Sequence, residues 1–122
     1  MVGYVTLGSN ELERAVSFYD ALLGEFGAKQ FMNDGRMVIW GRDMGVGMLA
    51  VCTPYDEGRA SVGNGVMVGL QAESKEAVNA IHAKALELGG SDEGAPGPRG
   101  DGFYAGYFRD LDGNKLNAFV LG

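Results

Sequence analysis

Apolar positions along this chain change period several times, and each change marks an element. Tyr4 to Gly8 is β-rich with alternating side-chain types, which predicts a first strand. From Asn10 onward the spacing becomes helical: Leu12, Ala15, Val16, Tyr19, Leu22 and Leu23 form one apolar stripe, with Glu11, Glu13, Arg14 and Asp20 largely off it. Asn10 and Glu13 stand at the spacing of a capping box, so the helix is predicted to start at Asn10 and to end at Gly24 and Gly27. Two β-rich runs follow, Gln30 to Asn33 and Arg36 to Trp40, joined by Asp34-Gly35, a dipeptide suited to a hairpin turn. A third run, Met48 to Thr53, follows another glycine-bearing turn and stops at Pro54.

The polar stretch Pro54 to Asn64 reads as a linker, after which the plan repeats. Gly65 to Ala72 alternates as a strand, with Val66, Val68, Leu70 and Ala72 on one face. Ser74 is placed to cap a second helix whose stripe is Ala77, Val78, Ile81, Ala85 and Leu86, closed by Gly89-Gly90. A glycine- and proline-rich loop, Ala95 to Gly102, precedes two final strands, Phe103 to Arg109 and Leu116 to Leu121, joined by the turn Asp110-Leu111-Asp112-Gly113. Trp40-Gly41-Arg42-Asp43-Met44-Gly45 echoes Tyr107 to Gly113, each turn being followed by an apolar strand. Two βαβββ units account for this order better than a regular alternation of strands and helices, so the fold class is α+β.

Composition narrows the function classes. At 122 residues the chain is the size of one domain. Its net charge of −6, with no Lys/Arg cluster to offset it, argues against nucleic acid or an anionic membrane surface as partner. No apolar run is long enough for a membrane span, and Met1-Val2-Gly3-Tyr4 lacks the features of a signal peptide, so the expected compartment is the cytoplasm. The single cysteine, Cys52, leaves no intramolecular disulfide and agrees with a reducing environment. Asp110-x-Asp112-Gly113 lacks the later acidic ligands of a calcium loop, and Gly100-x-Gly102 lacks the context of a dinucleotide fingerprint; both read as turns.

Three segments carry a resemblance to a known family. Tyr4-Val5-Thr6-Leu7 leading into Asn10 to Tyr19, with Arg14 and Phe18-Tyr19, resembles the strand and D-L-x-R-x-x-x-F-Y helix that open members of the vicinal oxygen chelate superfamily. That superfamily includes glyoxalase I, extradiol dioxygenases, and fosfomycin and bleomycin resistance proteins. Phe108 to Leu116 resembles its closing F-x-D-P-D-G-N hairpin, with Leu111 where proline is usual. The resemblance implies two βαβββ modules, about 1–53 and about 65–122, forming a curved mixed-sheet cup in one domain over 1–122, commonly paired as a homodimer. It also implies that the four metal-ligand positions of metal-dependent members fall on Tyr4, near Val51, on Met67 (or Val66) and on Asn117. None of these is a good donor for a divalent ion, so no metal and no cofactor are expected.

Individual residues carry two readings each. Tyr4 either presents its hydroxyl to a ligand or packs a core. Asn117, an amide in an apolar strand, must bond something fixed, either a ligand or a neighbouring tyrosine, or bear a desolvation cost of roughly 1–3 kcal/mol. Trp40, Met67 and Tyr104 wall an apolar pocket or belong to the core, and Arg99 clamps an anionic group or is a solvated loop charge. His82 reads as a helix boundary residue with no acidic neighbour in its helix. Cys52 is expected on the helix-covered face, turned away from Val51. The resulting expectation is a metal-free protein binding a small, partly apolar and, through Arg99, anionic molecule. The alternatives are a glyoxalase-like lyase or isomerase acting on a small oxygenated substrate, with metal in a rearranged site or with Tyr4 as a proton donor, and a structural or protein-binding role with a filled cup.

Overall fold

The computed structural model of the chain describes residues 1–43 and 46–122, so the Met44-Gly45 part of the first turn echo lies outside the described residues. The chain divides into two compact units, Met1–Val62 and Gly63–Gly122. Each has the order β, α, β, β, β. The first holds β1 (Tyr4–Gly8), α1 (Leu12–Gly24), β2 (Lys29–Asn33), β3 (Met37–Gly41) and β4 (Met48–Cys52). The second holds β5 (Val68–Gln71), α2 (Lys75–Glu87), β6 (Ser91–Pro98), β7 (Phe103–Arg109) and β8 (Lys115–Leu121). Strand orders are β1-β4-β3-β2 and β5-β8-β7-β6, so the two sheets share one topology. The first and last strands of each unit pair in parallel, and the remaining pairs are antiparallel. Among the described residues no helix is long and apolar enough to cross a membrane.

In the first unit, α1 buries Ala15, Phe18, Tyr19, Leu22 and Leu23, so Phe18 takes the place in the stripe that the sequence reading assigned to Val16. Its start also differs from the capping-box expectation. The helix begins at Leu12, and Ser9 Oγ accepts from the Glu11 N–H at 3.0 Å. Asn10 does other work: its Oδ1 accepts from Ala60 N at 2.8 Å and its Nδ2 donates to Ala60 O at 3.1 Å, tying the segment after β4 to the start of α1. A short polar side chain beside a free backbone pair satisfies both groups at once, and this wins over the local cap.

The β2–β3 hairpin turns as predicted. Asp34 Oδ1 accepts from Arg36 N and Met37 N, and Gly35 supplies a φ of 88° that a side chain would strain. Those backbone donors, first Met37 and then Arg36, hold the Asp34 carboxyl below its ordinary value.

In the second unit, Ser74 Oγ accepts from Ala77 N at 3.0 Å, as the cap reading required. Helix α2 buries Val78, Ile81, His82 and Ala85 and lies against β6, β7 and β8. Strand β6 was not anticipated, because Ser91–Pro98 is rich in glycine and proline. It exists as an edge strand, where a proline without N–H costs no ladder bond, and its register against β7 shifts between Asp92 and Gly94 and between Gly94 and Gly97. Strand β5 is shorter than expected: Val66 and Met67 precede it and are exposed.

Candidate functional site

Each sheet has one face against its helix and one face away from it, and registered partners share a face. In the first sheet Trp40 settles the assignment. Its Nε1–H donates to Asp20 Oδ1 on α1 at 2.8 Å, and its ring lies 5.7 Å from that of Tyr19. Trp40 is therefore core, 1% exposed, and does not wall a ligand site. Its register partner Leu49, and Val38 with its partner Val51, share that face. Alternation then turns Cys52, Ala50 and Met48 away from α1, the reverse of the expectation for Cys52 and Val51. Both parities of β4 are apolar, so the sequence contained no cue to which parity meets the helix. Tyr4 pairs with Met48 and so lies on the face away from α1. It is 54% exposed, and its hydroxyl has no partner among the described residues.

In the second sheet Tyr104 meets α2: its hydroxyl donates to Asn79 Oδ1 at 2.7 Å, and Lys75 Nζ lies 5.6 Å from its ring centroid. Tyr104 is thus removed from any site containing Asn117, which lies on the opposite face. Phe108 and His82 also meet on the α2 side, with ring centroids 6.4 Å apart. His82 is buried rather than at a boundary. Its Nε2 lies 3.0 Å from Asp92 Oδ1 and 3.1 Å from Tyr107 O. Both neighbours are acceptors when Asp92 is ionised, so Nε2 carries the proton and donates to both. His82 thereby ties α2 to β6 and to the backbone of β7 at Tyr107.

The Asp92 carboxyl is held below its ordinary value of 3.8, chiefly by the Gly94 N–H and then by His82. A depressed folded-state value means that this contribution to stability is present above the unfolded value and is lost as pH falls through the folded one. Asp92→Asn should therefore lower stability at pH 7. The gap between wild type and variant should narrow below about pH 4, as read by denaturant unfolding at a series of pH values. A gap unchanged down to pH 2 would contradict the assignment.

The face away from α2 carries Tyr107, Asn117 and Phe119, with Gly69 opposite Asn117 on β5. Asn117 is 2% exposed, and its Oδ1 has no hydrogen-bond partner. The neighbouring tyrosine expected to satisfy it, Tyr107, is its register partner on β7, yet no bond joins them. Tyr107 is instead flanked by two cations, Arg99 with its Cζ 5.4 Å and Lys115 with its Nζ 5.8 Å from the ring centroid. Arg99 is partly committed to its own loop, donating to Ala95 O at 2.7 Å and to Pro98 O at 3.3 Å. It is a tethered charge beside Tyr107 rather than a free clamp. Phe103 and Phe119 stack with centroids 5.6 Å apart. Gly69 permits the approach of β5, since a Cβ there would lie 3.0 Å from Asn117 Oδ1 and 3.2 Å from Phe119.

The structure thus brings Arg99 and Asn117 to one face of the second sheet, with Met67 in the segment leading into β5. Tyr107, Lys115 and Phe119 belong there too and were missed. Counting alternate residues outward from Asn117 along β8 finds Lys115 and Phe119, and the hairpin register finds Tyr107.

The resemblance assigns metal ligands to Tyr4, Val51, Met67 and Asn117, and these side chains do not match a usual ligand set. A phenol, a thioether and a carboxamide are poor partners for a divalent ion in place of imidazole and carboxylate, and Val51 has no donor and faces α1. Among the described residues no group of three or more His, Cys, Asp and Glu side chains is placed to hold a metal ion.

Two four-stranded mixed sheets, each with one helix in βαβββ order, define a protein of the glyoxalase-like fold. The family model of the Glyoxalase/Bleomycin resistance protein/Dioxygenase superfamily matches residues 1–118, and the chain belongs to that superfamily. It is similar to a glyoxalase/bleomycin resistance protein from Albidiferax ferrireducens T118, with 36% identity and a TM-score of 0.92 over 100% of this chain and 99% of that one. A hypothetical protein, SA1046 from S. aureus, shares 28% identity with a TM-score of 0.72, covering 98% of this chain and 96% of that one. A lactoylglutathione lyase from Agrobacterium tumefaciens shares the fold at 22% identity and a TM-score of 0.73, covering 98% and 92%. No curated protein matches the chain.

Proposed function

We propose that this protein binds a small, partly apolar molecule, without a metal ion, on the face of the second sheet that carries Asn117. The observation behind this reading is the amide oxygen of Asn117, buried and without a hydrogen-bond partner. A buried acceptor left unmade costs about 1–3 kcal/mol. A ligand that supplies the missing donor would recover that cost. The surroundings suit a small-molecule site, with aromatic side chains at Phe103, Tyr107 and Phe119 and few polar groups. Trp40 and Tyr104, held against α1 and α2, have no part in this site.

The test is a protein-observed NMR titration of the 15N-labelled chain with benzamide, benzyl alcohol and benzoate. Saturable shifts are expected at the amides of Tyr107, Asn117 and Phe119, unchanged by EDTA. Gly69→Val drives a side chain toward Asn117 and Phe119 and should raise the half-saturating concentration several-fold. Shifts confined to the first unit, or tight stoichiometric metal in protein purified without added metal, would sink the proposal.

A further inference from the structure

We infer that the ligand of this site is a small carboxylate that carries an N–H or O–H donor next to its charge and a planar apolar tail beyond the donor. This rests on the binding site proposed at Asn117 and concerns what that site selects. Three residues of β8 on the face away from α2 give the order. Lys115 is a cation, Asn117 an acceptor and Phe119 an aromatic surface, each separated from the next by two residues, or roughly 7 Å of strand.

Lys115 makes no ion pair with any carboxylate among the described residues, and its ammonium lies over the Tyr107 ring. Its register partner Arg109, by contrast, is paired with Glu93 at 3.2 Å and donates to Gly113 O at 2.9 Å. The face therefore retains positive charge at Lys115, reinforced by the tethered guanidinium of Arg99 over the same ring. In a chain of net charge −6 this local excess of cations is a selective feature for an anion.

Lys115 also reaches across to β7. Its ammonium lies over Tyr107, and Tyr107 is the cross-strand partner of Asn117. An anion held at Lys115 thus lies on the same sheet face as the unpartnered Oδ1, which only accepts. A carboxylate alone would leave that oxygen unsatisfied, and a neutral donor alone would leave the ammonium unpaired. A molecule with both groups adjacent satisfies the two together. Its remaining part then runs toward Phe119, whose ring stacks on Phe103.

N-benzoylglycine has these three parts in this order, and its methyl ester and its N-methyl derivative each delete one polar group. Isothermal titration of the full chain should give a Kd for N-benzoylglycine at least about tenfold lower than for either analogue. Lys115→Met should bring the acid to the affinity of the ester without moving the ester. Asn117→Leu should bring the acid to the affinity of the N-methyl compound. Thermal unfolding of both variants checks that the fold is kept. Equal binding of acid and ester, or Lys115→Met with no effect, would overturn the inference. If the ester then still responded to Asn117→Leu, the binding site would stand and only the ligand class would fall. Failure of all three compounds to bind also overturns the ligand class, and the NMR titration above decides the site separately.

Discussion

Asn117→Leu should leave the protein at least as stable as wild type while it weakens ligand binding about tenfold. Most buried polar side chains lose stability when replaced, because their partners are orphaned. The Oδ1 of Asn117 has no partner to orphan. Leucine has a similar volume, removes a buried acceptor that costs about 1–3 kcal/mol, and stands beside the apolar ring of Phe119. Urea unfolding followed by circular dichroism is expected to give an unfolding free energy equal to or above that of wild type. The NMR titration should reach half-saturation at Tyr107 and Phe119 only at about tenfold higher ligand concentration. A Leu variant destabilised by several kcal/mol would mean that the amide holds the sheet together, and Asn117 would then be a structural residue.

Trp40→Ala should have the opposite signature, a loss of about 3–5 kcal/mol of unfolding free energy with the ligand specificity of the second sheet intact under conditions where the variant is folded. The indole fills the space between β3 and α1 against Tyr19, and its N–H donates to Asp20 Oδ1. Truncation leaves a cavity and removes one of the two donors to that oxygen, Gln30 Nε2 being the other. For a domain whose whole stability is about 5–15 kcal/mol this is a large fraction. Trp40→Phe keeps most of the packing but not the N–H and should fall between the two. A Trp40→Ala protein of undiminished stability that failed to bind ligand would return Trp40 to the binding site. Together the two variants separate a residue that builds the fold from one that the fold carries for another purpose.

Periodicity revealed the elements whose apolar residues fall on one side only. The stripe around Ala15, Tyr19 and Leu22, the cap at Ser74 with Val78, Ile81 and Ala85, and the Asp34-Gly35 turn all follow from local spacing and backbone chemistry. So does the βαβββ order of the first unit, which depends only on where one period gives way to another. Strand β6 escaped because its glycines and prolines argue for a loop, and only its place at the sheet edge makes them tolerable. His82 escaped because its partners, Asp92 and the Tyr107 carbonyl, come from β6 and β7 and not from its own helix.

Local spacing along the chain settled the repeat, the family motifs at the two ends, and the set of residues that alternate together on each strand. It marked Asn117 as an amide in apolar company. It did not determine which alternating set meets the helix: in β3, β4 and β7 both sets contain large apolar or aromatic residues, so Trp40 and Tyr104 read equally well on either face. Only the tertiary structure made that choice, since a strand shows its sides as equivalent until a helix covers one of them. The same packing turned Cys52 away from α1 and set Lys115, Tyr107 and Phe119 around Asn117, because neighbours on a sheet face are fixed by register between strands far apart in the chain.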